Sequence, residues 1–513
     1  MKNSKHAQIF FRIERLIVHG DLSEARILLQ ALRKKRVVRK DLVTLANLSR
    51  RAHLPENSVA ILHHLVRPSA HTPMHATDAE KAEYAAALNA LGATGEAEQL
   101  LAQVNMKQYP NALLFRAYTH IWQWDWEGAI PFLRQYIGHT KINQEMRLWG
   151  TLSLAQCLMH SDLDLPGAQK LFEEICRQIT IEQLLRNNAL LGLMQAQILG
   201  KKWPLVRPTI QAIEQNITQD CDPYFERVFE QWKCLYDLFF AQESGKGLRE
   251  AQGRLRKVRM KFKESKSFEN VRSCDFYEAV CFKNEKLLTQ LYFGTNFPAF
   301  RARILAALGG EDKLPANYQW SFFTSPQKGS VIVDLQSGRN SIGQAWLKEG
   351  QIPQRLLLVL GSDFYRPKRV FELHELLFPK EFYHPTSSPN RIHQALRRLR
   401  HWLAQNHIPL MIKEETGFYS LERTEACVIQ LERNVAGTPL KNKLKQQLSI
   451  LKGHFKTRLL SAVELPAVLG VSHRSSIRIL NELRDHGIIE RLDQGPQTQY
   501  RLLEAAVLAA LGA

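Results

Sequence analysis

The stretch SSPNRIHQALRRLRHWLAQNHIPLMIKEETGFYSL, residues 387–421, decides how the rest of the chain is read. Its first half has a helical period. Ile392, Ala395, Leu396, Leu399, Trp402 and Leu403 recur at i, i+3, i+4 spacing and share one face. The opposite face carries Asn390, Gln394, Arg397, Arg398 and His401 and no acidic residue. Forked guanidinium and amide groups in that arrangement suit base edges and phosphates. Arg391 and Arg400 flank this face. The second half changes period: LMIKEE reads as a strand, Thr416-Gly417 as a turn and FYSL as the returning strand.

A basic helix followed by a β-hairpin is the order of a recognition helix and its wing. The wording resembles the OmpR/PhoB-type winged-helix DNA-binding domain. In that family the recognition helix ends in L-R-x-x-L and the wing in G-x-G-Y-x-L. Here these read Leu399-Arg400-His401-Trp402-Leu403 and Thr416-Gly417-Phe418-Tyr419-Ser420-Leu421, with Thr416 in place of the first wing glycine. The resemblance covers about 100 residues of the chain. It implies double-stranded DNA as partner, and Asn390, Arg391, Gln394, Arg397, Arg398, Arg400, His401, Thr416 and Tyr419 as contact residues. A solvated basic helix with a structural role is the competing interpretation.

Working outward, residues 320–424 supply the rest of such a domain. VIVDL alternates and ends at Gln336-Ser337-Gly338, as a leading hairpin would. Ile352 to Ser362 and Arg369 to Phe378 read as two helices, separated by the break at Arg366-Pro367. Ser387 or Ser388 is the expected cap of the third helix, with Pro389 in its first turn.

A second candidate runs from 440 to 505. Leu444, Leu448 and Leu451 line its first helix. Ser461 to Glu464 reads as a capping box, and Gly470-Val471-Ser472 as a turn. The third helix is expected to bury Ile477, Leu480 and Leu483 and to present Arg474, Ser475, Arg478 and Glu482. A wing surrounds Gln494-Gly495-Pro496. The phrase L-G-V-S-x-x-S-x-x-x-x-L-x-x-L-x-x-x-G-I-I resembles the common bacterial winged helix-turn-helix. That resemblance implies DNA contacts from Ser472, Arg474, Ser475, Arg478, Arg491 and Gln497. Between 441 and 503 the segment holds 11 Lys and Arg against 5 Asp and Glu. Some winged helices bind only protein, which leaves that role open for this module.

Residues 1–240 are helical with a repeat. A turn-forming residue is followed by an alanine and an apolar pair, the alanines being Ala25, Ala60, Ala97, Ala129 and Ala168. Their spacings of 35, 37, 32 and 39 residues resemble the tetratricopeptide repeat. The implied fold class is mostly α: an N-terminal α-solenoid, tetratricopeptide-like, followed by two winged-helix domains. Such a stack offers a groove for a protein or peptide partner, or serves as a spacer or dimerisation arm, so homodimerisation stays open. Trp122, Trp124 and Trp126 could anchor a ligand there; the more ordinary role for such rings is to fill core. Residues 241–310 continue as a basic helical extension, either an added phosphate-contacting surface or a solvated helix, and Gly309-Gly310 reads as a linker.

The chain of 513 residues has a formal net charge of +19, which favours polyanionic partners. Its seven cysteines are scattered without zinc-ligand spacing, as expected of a reduced, cytoplasmic chain. The amino-terminal segment lacks a signal-peptide core and no apolar run reaches membrane-spanning length, so no membrane association is expected. His63, His64, His71 and His75 are expected at the surface. No P-loop, nucleophile elbow or H-E-x-x-H motif occurs. No enzyme activity, cofactor or metal is expected, and no receiver domain precedes the OmpR/PhoB-like segment. The function expected is sequence-specific transcription regulation, with a scaffold or adaptor role as the alternative.

Overall fold

The computed structural model describes residues 6–18, 20–33, 35, 37–67, 75–178, 182–217, 222–321, 329–343, 346–379, 381–424, 426–433, 442–455, 459–461, 463–485, 488–491 and 499–503. These form 23 α-helices and three small sheets, so the protein is mostly helical. Two compact units result, Met1–Leu431 and Glu432–Ala513.

The first unit begins with seventeen helices: α1 Ala7–Val18, α2 Leu22–Arg33, α3 Arg39–Arg51, α4 Pro55–Val66, α5 Asp78–Ala90, α6 Thr94–Leu101, α7 Asn111–Trp122, α8 Trp126–Ile137, α9 Gln144–His160, α10 Leu165–Cys176, α11 Gln183–Leu199, α12 Trp203–Asn216, α13 Pro223–Ser244, α14 Leu248–Glu264, α15 Phe268–Phe282, α16 Glu285–Phe293 and α17 Pro298–Leu308. The expected boundary at 240 falls inside α13, and the run of helices continues to Leu308. Gly309 is the left-handed cap that ends α17.

Two local devices repeat along this array. The turn inside each successive pair contains a left-handed residue: Gly20, His53, Gly92, Trp124, Asp162 and Lys201. Only glycine adopts that conformation cheaply, so four non-glycine copies show how strongly the helix ends require it. The fourth residue of the helix that follows is small and fully buried, at Ala25, Ser58, Ala97, Ala129 and Ala168. Ala60, expected as the second copy, is only half-buried. The equivalent position is Ser58, whose hydroxyl donates to the Ala46 carbonyl at 2.6 Å and so can be buried. The device reappears at Ala251 in α14, beyond the region where the sequence shows the repeat.

Close packing can be tested at Gly192 of α11. A Cβ there would lie 2.4 Å from the ring of Phe172, which is completely buried in α10. Gly192→Ala is expected to destabilise the first unit by about 1–3 kcal/mol, measured by urea unfolding, because the ring has no room to withdraw.

After the array come β1 Asn317–Trp320, β2 Val331–Asp334, α18 Ile352–Gly361, β3 Lys368–Arg369, α19 Val370–Leu377, α20 Ser387–Gln405, β4 Leu410–Glu415, β5 Phe418–Arg423 and β6 Cys427–Glu432. The expected reversal at Gln336-Ser337-Gly338 is present: Val333 bridges Asn340 antiparallel, and the Asp334 N–H donates to the Arg339 carbonyl at 2.9 Å. β6 lies between β1 and β2, and β2 pairs with it in parallel, Val331 opposite Cys427 through Asp334 opposite Gln430. β3, β5 and β4 form a second antiparallel sheet. Helices α18, α19 and α20 pack on one another around Leu356, Leu373, Ile392, Leu396 and Leu399.

The second unit contains α21 Asn442–Phe455, β7 Leu460–Ser461, α22 Leu465–Leu469, α23 His473–Asp485, β8 Ile489–Arg491 and β9 Gln499–Leu502, with strand order β7-β9-β8. Its core joins Leu444, Leu448 and Leu451 to Leu480 and Leu483. Ile477 is exposed and Ile479 takes the inward place. The Ser461 capping box does not form: Ser461 belongs to β7, and α22 starts at Leu465. The expected wing turn at 494–496 lies outside the described residues.

Candidate nucleic-acid interface

Helix α20 buries Ile392, Ala395, Leu396, Leu399 and Leu403. Asn390, Gln394, Arg397, Arg398 and His401 therefore face outward and are exposed. Gln394, Arg397, Arg398, Arg400 and His401 line one open surface. Among the described residues no carboxylate pairs with Arg397 or Arg398, so their charge is available to an external anion.

Other candidates are committed within the fold. Arg400 donates from Nε and Nη2 to the Ile412 carbonyl at 3.3 and 3.1 Å, clasping α20 to the edge strand β4. Arg391 pairs with Glu381 and covers the ring of Phe378 at 3.9 Å. Tyr419, expected as a wing contact, is 6% exposed and packs in the core. The hairpin tip itself is engaged. Lys266, in the turn between α14 and α15, pairs with Glu415 at 2.8 Å and donates to the Thr416 hydroxyl at 3.3 Å. Glu414, Glu415 and Glu422 give this hairpin an acidic character that the basic helix face lacks.

Ser387 and Ser388 do not cap α20 as expected. Both lie within its first turn, and the buried Ser388 hydroxyl accepts from the His384 N–H at 2.9 Å. The residues before α20 are seated on the helical array. Glu375 of α19 accepts from the N–H groups of Gly95 and Glu96 at 2.8 and 3.2 Å, supplying a carboxylate to the open N-terminus of α6. Glu96 in turn accepts from the Tyr383 N–H at 3.0 Å. Phe371 and Tyr383 stack at 3.7 Å within the core of α3 to α7. His64 and His75 are exposed, His71 lies outside the described residues, and His63 is half-buried. Its Nδ1 lies 3.0 Å from the Tyr84 hydroxyl and its ring 5.0 Å from His384. Burial, with His384 and Arg67 nearby, pushes its pKa down to about 4.

The basic helix α14 is mostly neutralised. Arg254, Arg256, Arg259 and Lys261 pair with Asp237, Glu278, Asp275 and Glu230. Its solvated-helix interpretation fits better than a phosphate-binding surface. Trp124 and Trp126 are half-buried and Trp122 is 51% exposed, so the three rings are not simply core.

In the second unit Ser472 caps α23, accepting from the Ser475 N–H at 3.3 Å and donating to the Ser475 hydroxyl at 3.0 Å. Arg478 is exposed and Ser475 half-buried. The side chains of Arg474 and Arg491, and the whole of Gln497, lie outside the described residues. His393, on the exposed side of α20 with its ring 6.4 Å from Tyr419, was not singled out from sequence. Its position one residue before Gln394 was the available signal.

Among the described residues no cluster of His, Cys, Asp or Glu could hold a metal ion. No helix among them is long and apolar enough to cross a membrane. No protein-family model matches the chain, and no curated protein does.

Proposed function

We propose that the protein is a sequence-specific, DNA-binding transcription regulator of the cytoplasm. In this reading α1–α17 are a tetratricopeptide-like α-solenoid that docks a protein or peptide partner. Helices α18–α20 with β3–β5 are an OmpR/PhoB-like winged helix, and the second unit is another winged helix-turn-helix. The observation that carries the proposal is the exposed face of α20, where two arginines without a carboxylate partner among the described residues stand beside an amide and a histidine on a helix whose other face is core. Arg397 and Gln394 read bases, and Arg398 holds phosphate.

Fragments selected from random genomic DNA by the full chain test this. Log affinity for a selected fragment should fall linearly with log salt, by about 0.9 per phosphate neutralised. Arg398→Ala should lower that slope by about 1. A flat salt response, or no DNA retained at low salt, sinks the proposal.

The alternative is a scaffold or adaptor whose winged helices contact protein. The acidic hairpin favours it, since Glu414, Glu415 and Glu422 would repel phosphates where a wing meets DNA.

A further inference from the structure

Two carboxylates and a ring of aromatics meet in a cavity of about 350 Å³ among α7, α9, α11, α13 and α15. Trp122, Trp124, Trp126, Tyr224, Trp232 and Tyr277 line it, and no lysine or arginine is among its lining residues. That composition is unexpected in a chain of net charge +19.

The polar groups are arranged around its wall. Glu269 accepts from the Trp124 indole N–H at 2.8 Å through Oε2, and Arg272 lies 3.1 Å from the same oxygen. Among the described residues its Oε1 has no hydrogen-bond partner, and neither has the indole N–H of Trp126. Asp222 is exposed and caps α13 through Oδ1, which accepts from the Tyr224 N–H at 2.9 Å. No cation pairs with it among the described residues. His160, pushed down to about 3 by burial and by Arg303, adds no positive charge near neutral pH. Trp124 and Trp126 meet edge to face at 6.1 Å, as do Trp232 and Tyr277 at 5.1 Å. The Arg303 guanidinium already lies 5.8 Å over the Tyr277 ring and His160 packs 4.7 Å from Trp126, so the indoles of Trp122 and Trp124 are the rings an incoming cation would meet.

Indole and phenol faces carry negative quadrupole potential and attract organic cations, more strongly once the cation sheds water. A carboxylate at the wall adds to that preference, and an apolar enclosure favours a cation with an aliphatic body. We infer that this cavity binds an organic cation, an ammonium or guanidinium group on an apolar stem. Two sources share that chemistry: a free amine and a basic side chain of a peptide. The inference concerns the helical array alone and stands whether or not α20 binds DNA.

The test is calorimetric titration of the full chain, with tryptophan fluorescence as a second readout. The probes are choline, its uncharged carbon isostere 3,3-dimethylbutan-1-ol, and end-capped Ala-Arg-Ala and Ala-Gln-Ala peptides. One cation should bind at least about tenfold tighter than its neutral counterpart. Choline preference identifies a small free ammonium ion and Ala-Arg-Ala preference a peptide. Trp122→Ala, at a half-exposed site, should weaken the preferred cation by about 3- to 30-fold. Asp222→Asn, which retains a capping side chain, should weaken the cation and leave the neutral probe unchanged. Equal binding of charged and neutral probes, or no binding of either cation at millimolar concentration, overturns the inference.

Discussion

Asp363→Ala should destabilise the first unit by about 3–5 kcal/mol in urea unfolding, because it strands a buried guanidinium. Arg272 of α15 and Asp363, just after α18, are both completely buried and joined by two hydrogen bonds of 3.0 and 2.8 Å. Arg272 also donates to the Thr295 hydroxyl at 2.5 Å and lies over the rings of Phe297 and Tyr365. Removing the carboxylate leaves the cation without its main counter-charge in a site closed to water. A combined Arg272→Met, Asp363→Ala change should recover much of the loss, since apolar replacement of a whole buried pair is commonly neutral. The pH dependence has a fixed sign. Burial alone would raise the Asp363 carboxyl, but Arg272, Lys368 and the Arg366 N–H together hold it below the usual carboxylate range. The stabilisation is therefore fully present above the unfolded value of about 4 and is lost as pH falls through the lower folded value. Unfolding free energies for wild type that stay level from pH 5 to pH 2, or a single variant as stable as the double, would refute this account.

That ion pair joins residues 91 positions apart, and nothing in the sequence singles out either partner. The same holds for Glu375, which reaches the N-terminus of α6 across 280 residues, and for β6, which pairs with β2 rather than a sequence neighbour. Local periodicity shows which face of an element is buried, not which distant element covers it. Where the signal was local it served well: the apolar stripe of α20 is buried as read, apart from the half-buried Trp402. Tyr419 was legible too. It lies two residues from Leu421 on β5, and alternate residues of a strand share a face, so an inward Leu421 requires an inward Tyr419. The OmpR/PhoB resemblance implies a contact at this tyrosine, whereas strand alternation turns it inward. In α23, spacing alone could not separate Ile477 from Ile479, because each has leucine neighbours at helical intervals; core packing chose Ile479.

These attachments bear on how the proposed regulator would receive an input. Hydrogen bonds donated by the N-terminus of α6 to Glu375 of α19, the buried pair between α15 and the segment after α18, and the Lys266 contact to the β4–β5 tip fix α20 at several points on the array. A ligand that favoured one arrangement of the array's helices would bias those attachments by its differential affinity, and by no more than that. Trp124 and Arg272 share the same carboxylate oxygen of Glu269, so the wall of the aromatic cavity is one ion-pair contact from the Asp363 pair.

Three substitutions in α20 separate its two faces. Leu399 is completely buried among α18, α19 and α20, and Leu399→Ala should destabilise the first unit by about 2–5 kcal/mol through the cavity it leaves. Arg397 is exposed and unpaired among the described residues, so Arg397→Ala should leave the urea midpoint within error. It should nevertheless weaken binding to a selected DNA fragment by about 1–3 kcal/mol and relax base preference at one position, as loss of a bidentate base contact does. Arg400→Ala should behave differently from both. Its guanidinium holds the Ile412 carbonyl of β4, so its loss costs about 1–3 kcal/mol of stability by releasing a charged donor from the hairpin. Any accompanying loss of DNA affinity should be uniform across sequences, because Arg400 acts by positioning the hairpin rather than by touching a base. Unfolding curves and fragment-binding isotherms on the same three proteins decide the matter. If Arg397→Ala retains full affinity and base preference while Leu399→Ala loses stability as expected, the helix is placed correctly but its outward face does not read DNA, and the protein-contact alternative takes its place.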